Sequence, residues 1–150
     1  MIRVWLAMIL AVSFVCAENG MIRYKSRYTV DETTKRLVEI LREKGVTLFK
    51  VIDHAEGAKR IGSQLPPSRL VIFGNPKMGT PLMRCSPSIG LDLPQKMLVY
   101  ENDSSEVMVT YNAPAYLFWR HNVPADCAPE LQKKMSLVLE KFAKYAAGIE

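Results

Sequence analysis

A hairpin pattern in the second half of the chain constrains the fold more than any other feature. Residues 96–101 and 107–111 are short, mainly apolar runs, and Asn102-Asp103-Ser104-Ser105 between them are typical of a turn. Strands joined by so short a turn must run antiparallel, because a parallel pair needs a crossover of about a dozen residues or more. The chain therefore cannot form a purely parallel, doubly wound sheet.

The rest of the chain alternates strand and helix patterns. Strands are predicted at residues 22–28, 46–52 and 70–73, and the second is apolar enough to be central in the sheet. Helices are predicted at residues 29–45, 53–64 (broken by glycines), 80–86, 115–121 and 129–147. One crossover helix, then a hairpin, then a long last helix predict an α+β fold, a curved, mainly antiparallel sheet with helices on one face.

The first residues differ from the others. A single cation, Arg3, precedes an apolar run at residues 4–15, and Ala17 leads into a polar stretch. This pattern predicts a secretory signal peptide at residues 1–17, cleaved after Ala17, a short linker at 18–20 and one domain at 21–150. The run is too short to cross a bilayer, which takes about 17–25 apolar residues, so the mature form has no predicted membrane span. The alternative is a true start at Met21 and a cytoplasmic protein.

Export would change what the cysteines can do. The chain of 150 residues has three cysteines and a formal charge of +5, and the predicted cleavage removes Cys16. Cys85 and Cys127 remain, and in an oxidising compartment they can form a disulfide. The sequence is equally compatible with two separate thiols.

The mild basic excess does not indicate a nucleic-acid partner. Arg23, Lys25 and Arg27 alternate along the first predicted strand, but no aromatic platform of the kind that stacks bases lies between them. We expect these cations to solvate the strand and protect its edge from pairing. The run Leu117-Phe118-Trp119 is expected in the core or at a dimer interface, and no motif predicts a cofactor.

The segment Gly74–Thr80 is the best candidate for a binding site. It leaves a buried strand and enters a predicted helix whose N-cap is Thr80, where free N–H groups and the helix dipole favour an anion. Gly74, Asn75, Lys77, Gly79 and Thr80 would contact a small anionic ligand, with Asn112 from a second turn. Thr80-Pro81 stands where a nucleotide-binding loop needs Lys and Ser or Thr, so nucleotide hydrolysis is not predicted. The alternative is a turn that only joins strand to helix.

His54 is the candidate for catalysis. It follows a predicted strand, and Asp53 and Glu56 lie beside it, so it could act as a general base that a carboxylate orients. The other histidine, His121, is distant in sequence, and no spacing typical of a metal site occurs. The alternative is a histidine that only makes local hydrogen bonds.

Four spaced motifs resemble the domain-of-unknown-function 302 family. They are VIDHAEGA at residues 51–58, LVIFGNPKMGTPLM at 70–83, GLDLPQK at 90–96 and YNAP at 111–114. The resemblance extends over about residues 21–148. It implies an α+β domain similar to the TATA-binding-protein type and a homodimer. It implies no reaction, because the family has no established activity.

These observations favour an exported binding domain that is not an enzyme and holds a ligand or a partner at Gly74–Thr80. Two alternatives remain at this point. One is a hydrolase- or lyase-like enzyme with His54 as general base, and the other is a homodimer with a structural or assembly role.

Overall fold

The computed structural model describes residues 18–149, so the predicted signal peptide lies outside the described residues. Five strands form one sheet in the order β1-β5-β4-β3-β2, and every neighbouring pair is antiparallel. The strands are β1 (Met21–Lys25), β2 (Thr47–Asp53), β3 (Ser68–Gly74), β4 (Gln95–Glu101) and β5 (Val107–Asn112). The predicted α+β class and the predicted hairpin, β4 and β5, are confirmed.

Among residues 18–149, five helices accompany the sheet. They are α1 (Val30–Glu43), α2 (His54–Arg60), α3 (Pro76–Cys85), α4 (Pro114–Arg120) and α5 (Pro129–Ala147). Short 3-10 turns occupy Glu18–Gly20 and Pro87–Leu91. The first of these replaces the expected linker, and its Gly20 carbonyl accepts a hydrogen bond from the Ala113 N–H at 2.8 Å. None of the helices within residues 18–149 is both long and apolar enough to cross a bilayer.

The core lies between one face of the sheet and the helices α1 and α5. Alternate residues of the strands point to this face, so Val71, Phe73, Met97 and Val99 are fully buried or nearly so. Phe142 of α5 meets Phe73 edge to face, with ring centroids 6.2 Å apart. Each such side chain contributes about 1.5–3 kcal/mol when it leaves water, so this layer supplies most of the stability.

Local signals explain where α1 begins and ends. The Thr29 side chain accepts a hydrogen bond from the Glu32 N–H at 3.2 Å, as the predicted N-cap should. Gly45 follows the helix with φ of 64°. Glycine adopts this left-handed conformation without steric strain, whereas a residue with a Cβ is strained there. The predicted limits of this helix are therefore confirmed.

The prediction that residues 46–52 form a central strand is wrong. The strand β2 is an edge strand that pairs only with β3, and its ladder is interrupted between Leu48 and Lys50. Its apolar composition has a different cause: Leu48 and Val51 pack against the core, whereas Phe49, at the interruption of the ladder, is 53% exposed. Burial of one face alone was enough to make the segment apolar.

The structure joins Cys85 and Cys127 in a disulfide. Cys85 ends α3 and Cys127 lies just before α5, with 5.9 Å between their Cα atoms and 42 positions between them in sequence. The bond ties the segment that follows α3 to the start of the last helix.

We predict that loss of this disulfide lowers the free energy of unfolding by about 4 kcal/mol, because opening a loop of this length restores entropy to the unfolded chain. Urea unfolding of Cys85→Ser/Cys127→Ser measures the loss. Wild-type protein in excess dithiothreitol is the control and should match the variant. Equal stability of oxidised wild type and variant would contradict the prediction.

Candidate functional site

An apolar cavity of about 260 Å³ lies beside α3, between the end of β3 and α5. Its walls are mainly apolar side chains of β2, β3, α3 and α5 and of the segment that leads into β4. They include Phe49, Phe73, Met78, Met83, Leu93, Met135, Val138 and Leu139. The cavity therefore suits an apolar group far better than a charged one.

The helix beside this cavity begins five residues earlier than predicted. Asn75 is the N-cap, because its side-chain oxygen accepts a hydrogen bond from the Lys77 N–H at 2.9 Å. Pro76 occupies the first helical position, where a missing N–H costs nothing. The expected loop Gly74–Thr80 is thus mostly helix, Thr80 is not its N-cap, and Pro81 lies inside it.

This cap engages N–H groups that the expected anion site would use. The N–H of Lys77 is bonded to the Asn75 side chain, and those of Met78 and Gly79 donate to the Asn75 carbonyl at 2.9 and 3.0 Å. An anion would have to compete with these bonds for the same donors. The donors that the anion hypothesis required are therefore already engaged within the chain.

The structure gathers only some of the expected ligand-binding residues. Gly74, Asn75, Gly79 and Thr80 line the cavity, whereas Lys77 does not. Asn112 also does not, because β4 separates its strand, β5, from β3. The part of the segment that lines the cavity lies among mainly apolar side chains.

One buried polar side chain stands out in the cavity wall. Gln95 is only 7% exposed, and its amide Nε2 is buried with no hydrogen-bond partner among the described residues. A buried donor without a partner costs about 1–3 kcal/mol, so such groups are uncommon in native proteins. Gln95, whose side-chain amide lacks a partner, is thus one of the few polar residues in the mainly apolar wall.

His54 is not placed as the catalytic hypothesis requires. It is the exposed first residue of α2, and Asp53 is the N-cap of that helix. One oxygen of Asp53 accepts from the Glu56 N–H at 2.9 Å, and the other accepts from the Arg69 Nε at 3.0 Å. Asp53 therefore holds the helix and Arg69 and does not orient His54. Within residues 18–149 no group of three metal-ligating side chains forms around it.

A second polar cluster forms around the other histidine. His121 Nε2 lies 2.6 Å from Asp92 Oδ2, and His121 Nδ1 lies 3.0 Å from Ser88 Oγ. Ser86 Oγ donates to the His121 carbonyl at 2.7 Å. The cluster joins the 3-10 turn Pro87–Leu91 to the C-terminal end of α4.

Sequence reasoning did not identify Gln95, Ser88, Asp92 or His121 as site residues. Gln95 had a usable signal, because it occupies the buried face of β4 in alternation with Met97 and Val99, where a polar residue is unusual. His121 had none, since its partners lie 29 and 33 positions away and meet it only after folding.

Comparison with known proteins gives the following matches. A family model described as domain of unknown function DUF302 matches residues 22–142. The crystal structure of an uncharacterized conserved protein DUF302 from Bacillus stearothermophilus is similar, with a TM-score of 0.68, 19% identity and coverage of 87% of this chain and 98% of that one.

Two curated relatives are fluoride-specific ion channels by name. FluC 1 of Brucella suis biovar 1 (strain 1330) is 40% identical over 131 residues, which are 87% of this chain and 51% of the relative. FluC 2 of Brucella melitensis biotype 1 is 40% identical over 131 residues, 48% of its length. The chain thus spans about half the length of the curated relatives it matches.

We predict that Asp53 makes folding depend on pH in the acid range. The Glu56 N–H, and then the Arg69 guanidinium, hold the pKa of the Asp53 carboxyl below its usual value of about 3.9. Its stabilising contribution is therefore complete above the unfolded pKa and is lost as the pH falls through the folded pKa. Urea unfolding between pH 6 and pH 2 measures this loss.

The test variant is Asp53→Asn, which keeps a side chain able to cap α2 but has no carboxyl to titrate. Its stability should decline less on acidification than that of wild type. Asp103→Asn, in the exposed hairpin turn, is the control and should follow wild type. A parallel decline of Asp53→Asn and wild type would contradict the prediction.

Proposed function

The chain belongs to the DUF302 family of domains of unknown function, and from this premise we propose that it is a binding module for a small, mainly apolar ligand. The ligand occupies the cavity beside α3. The observation that carries the proposal is the buried, unpartnered amide of Gln95, a residue of the mainly apolar cavity wall.

The size of the cavity limits the ligand. An apolar cavity of about 150 Å³ is known to stay dry and to bind benzene. At about 260 Å³, this one has room for a molecule somewhat larger than benzene. A chain or ring system of about ten non-hydrogen atoms is the appropriate class.

The chemistry of Gln95 adds a polar requirement. Its Nε2 can only donate, so a ligand oxygen that accepts a hydrogen bond would remove the cost of the unpaired group. We therefore propose a ligand with one carbonyl or ether oxygen on an apolar body. An alkane of the same length would leave the donor unpaired and bind more weakly.

Gly79 offers a way to block the cavity without harming the fold. It lies inside α3, where glycine is a poor helix former, and it lines the cavity. A Cβ added there would meet Leu93 Cδ1 at 3.6 Å, which is an ordinary contact. Alanine is therefore tolerated, and a larger side chain must extend into the space that the ligand needs.

We predict that 2-nonanone binds more tightly than n-decane, by about 5–30-fold, because only the ketone satisfies the Gln95 donor. Two-dimensional NMR of ¹⁵N-labelled protein follows both titrations. The Gln95 side-chain amide signals should shift with the ketone. Absence of any shift in cavity residues with either compound would overturn the proposal.

Four variants separate the parts of the proposal. Gln95→Leu should bind both compounds with similar affinity, and Gly79→Leu should bind neither. Gly79→Ala is the matched control for the backbone change and should bind as wild type does. Lys77→Ala should also leave binding unchanged, whereas weaker binding in Lys77→Ala would favour the anion hypothesis.

The channel relatives suggest a context for this domain. The matched residues make up about half of each relative, so we propose that the domain accompanies a second unit in those proteins and that fluoride conduction belongs to that unit. In this proposal the domain supplies a ligand-dependent or partner-dependent function and does not conduct ions.

We also propose that the protein is exported and pairs with a second copy of itself. The Cys85–Cys127 disulfide supports export, because such bonds persist in oxidising compartments. Leu70, Ile72 and Leu98 support pairing: they lie on the sheet face away from α1 and α5 and are partly exposed.

Native mass spectrometry of protein recovered from its host tests both ideas. We predict twice the mass of residues 18–150, and a single copy for Leu98→Lys because a buried lysine at the pair's interface is costly. Lys50→Ala, on the edge strand, is the control and should remain paired. An intact Met1 would contradict export, and a single copy of wild type at micromolar concentration would contradict pairing.

A further inference from the structure

We propose that Ser88, His121 and Asp92 form a nucleophilic site that hydrolyses carboxylic esters through an acyl-Ser88 intermediate. The site is separate from the apolar cavity and involves none of the residues of the His54 hypothesis. The three side chains form a continuous hydrogen-bonded series, from Ser88 Oγ through the imidazole to Asp92 Oδ2, with distances of 3.0 and 2.6 Å.

The proton positions follow from the partners. An ionised carboxylate can only accept, so His121 Nε2 carries the proton that it donates to Asp92. In the neutral imidazole Nδ1 is then unprotonated and can accept the proton of Ser88 Oγ. This is the arrangement in which a histidine serves as the general base of a serine nucleophile.

The neighbouring serine strengthens this assignment. Ser86 Oγ lies 3.2 Å from Ser88 Oγ, but its own proton is donated to the His121 carbonyl. Ser86 therefore cannot donate to Ser88, and the acceptors within reach of the Ser88 proton are Ser86 Oγ and His121 Nδ1. The nearer of these acceptors is His121 Nδ1.

The exposure of each of the three side chains suits its role in the proposed reaction. The side chains of His121 and Asp92 are only 6% and 13% exposed, so the base and its orienting carboxylate are held within the protein. Ser88 is exposed and can meet a carbonyl carbon from solution. The Ser86 bond holds the turn against the end of α4, and the nearby disulfide at Cys85 ties it to the segment before α5.

The reaction balances with water as the only co-reactant. Ser88 Oγ forms a bond to the ester carbonyl carbon, and its proton passes to His121 Nδ1. The bond between the carbonyl carbon and the alkoxide oxygen then breaks, and the alkoxide takes that proton from Nδ1. Water next attacks the acyl-Ser88 carbonyl, gives a proton to Nδ1, and the acid leaves as Ser88 Oγ regains the proton. Asp92 stays ionised and acts as a positioning residue for the imidazole.

The segments that carry the site favour esters with an apolar part. Leu91, next to Asp92, and Trp119, two positions before His121, are each 75% exposed. Apolar side chains this exposed can contact an acyl chain or an aromatic alcohol group. We therefore expect short-chain aryl esters to be better substrates than charged ones.

The experiment uses the full chain with its disulfide intact and a fluorophosphonate reagent, which reacts with activated serine hydroxyls. Peptide mass spectrometry should find one adduct, on Ser88, and Ser88→Ala should have none. Hydrolysis of p-nitrophenyl acetate should fall by at least about 100-fold in Ser88→Ala and in His121→Gln. Ser104→Ala, in the hairpin turn, is the matched serine control and should behave as wild type.

Two variants test the role of Asp92, because replacement of a purely structural residue would also reduce labelling, by unfolding the protein. Asp92→Asn donates to Nε2 and so places the imidazole proton on Nδ1, which should abolish labelling. Asp92→Glu keeps an accepting carboxylate and should restore part of the labelling. Circular dichroism melting curves show whether each variant is folded.

Labelling of the wild-type protein tests the proposal independently of the variants. Folded wild type without an adduct on Ser88, or with equal labelling of Ser88 and Ser104, would overturn it. Labelling of Asp92→Asn at the wild-type rate would overturn the positioning role. None of these outcomes bears on ketone binding in the cavity, which is read by NMR at Gln95.

Discussion

Burial of one face of the sheet beneath α1 and α5 is the constraint on which the other features depend. The strands β3, β4 and β5 direct alternate side chains to that face, and those side chains are almost entirely removed from water. Because alternation fixes which residues face the helices, it also places Gln95 inside the protein. The same alternation leaves Leu98 and Ile72 on the other face, partly exposed.

The sequence predicts the elements well because their signals are local. The N-cap at Thr29, the hairpin turn and the apolar face of α5 each depend on residues a few positions apart. The errors arose where two local signals compete. Asn75-Pro76 and Thr80-Pro81 both resemble a helix start, and the first prevails because the Asn75 side chain caps the helix. The apolar content of β2 indicated a central strand, although one buried face accounts for it.

The candidate sites were harder to predict because their chemistry depends on contacts between distant segments. The segment Gly74–Thr80 was predicted to bind an anion from its own residues, but the apolar side chains around it come from β2, β3, α5 and the segment before β4. His54 was a candidate for catalysis because carboxylates are its neighbours in sequence. In the structure, the Asp53 carboxylate instead accepts hydrogen bonds from the Glu56 N–H and from Arg69. His121 has no such neighbours, and only folding brings Ser88 and Asp92 to its two nitrogens.

The disulfide has a consequence for the covalent organisation of the molecule. Gln95, Ser88, Asp92 and His121 all lie between Cys85 and Cys127, as does the exposed turn at residues 103–105. A protease that cuts this turn leaves one molecule, because the two fragments stay joined through the bond. In denaturant, reduction then separates two chains: one carries Gln95, Ser88 and Asp92, and the other carries His121 and the α5 side chains of the cavity.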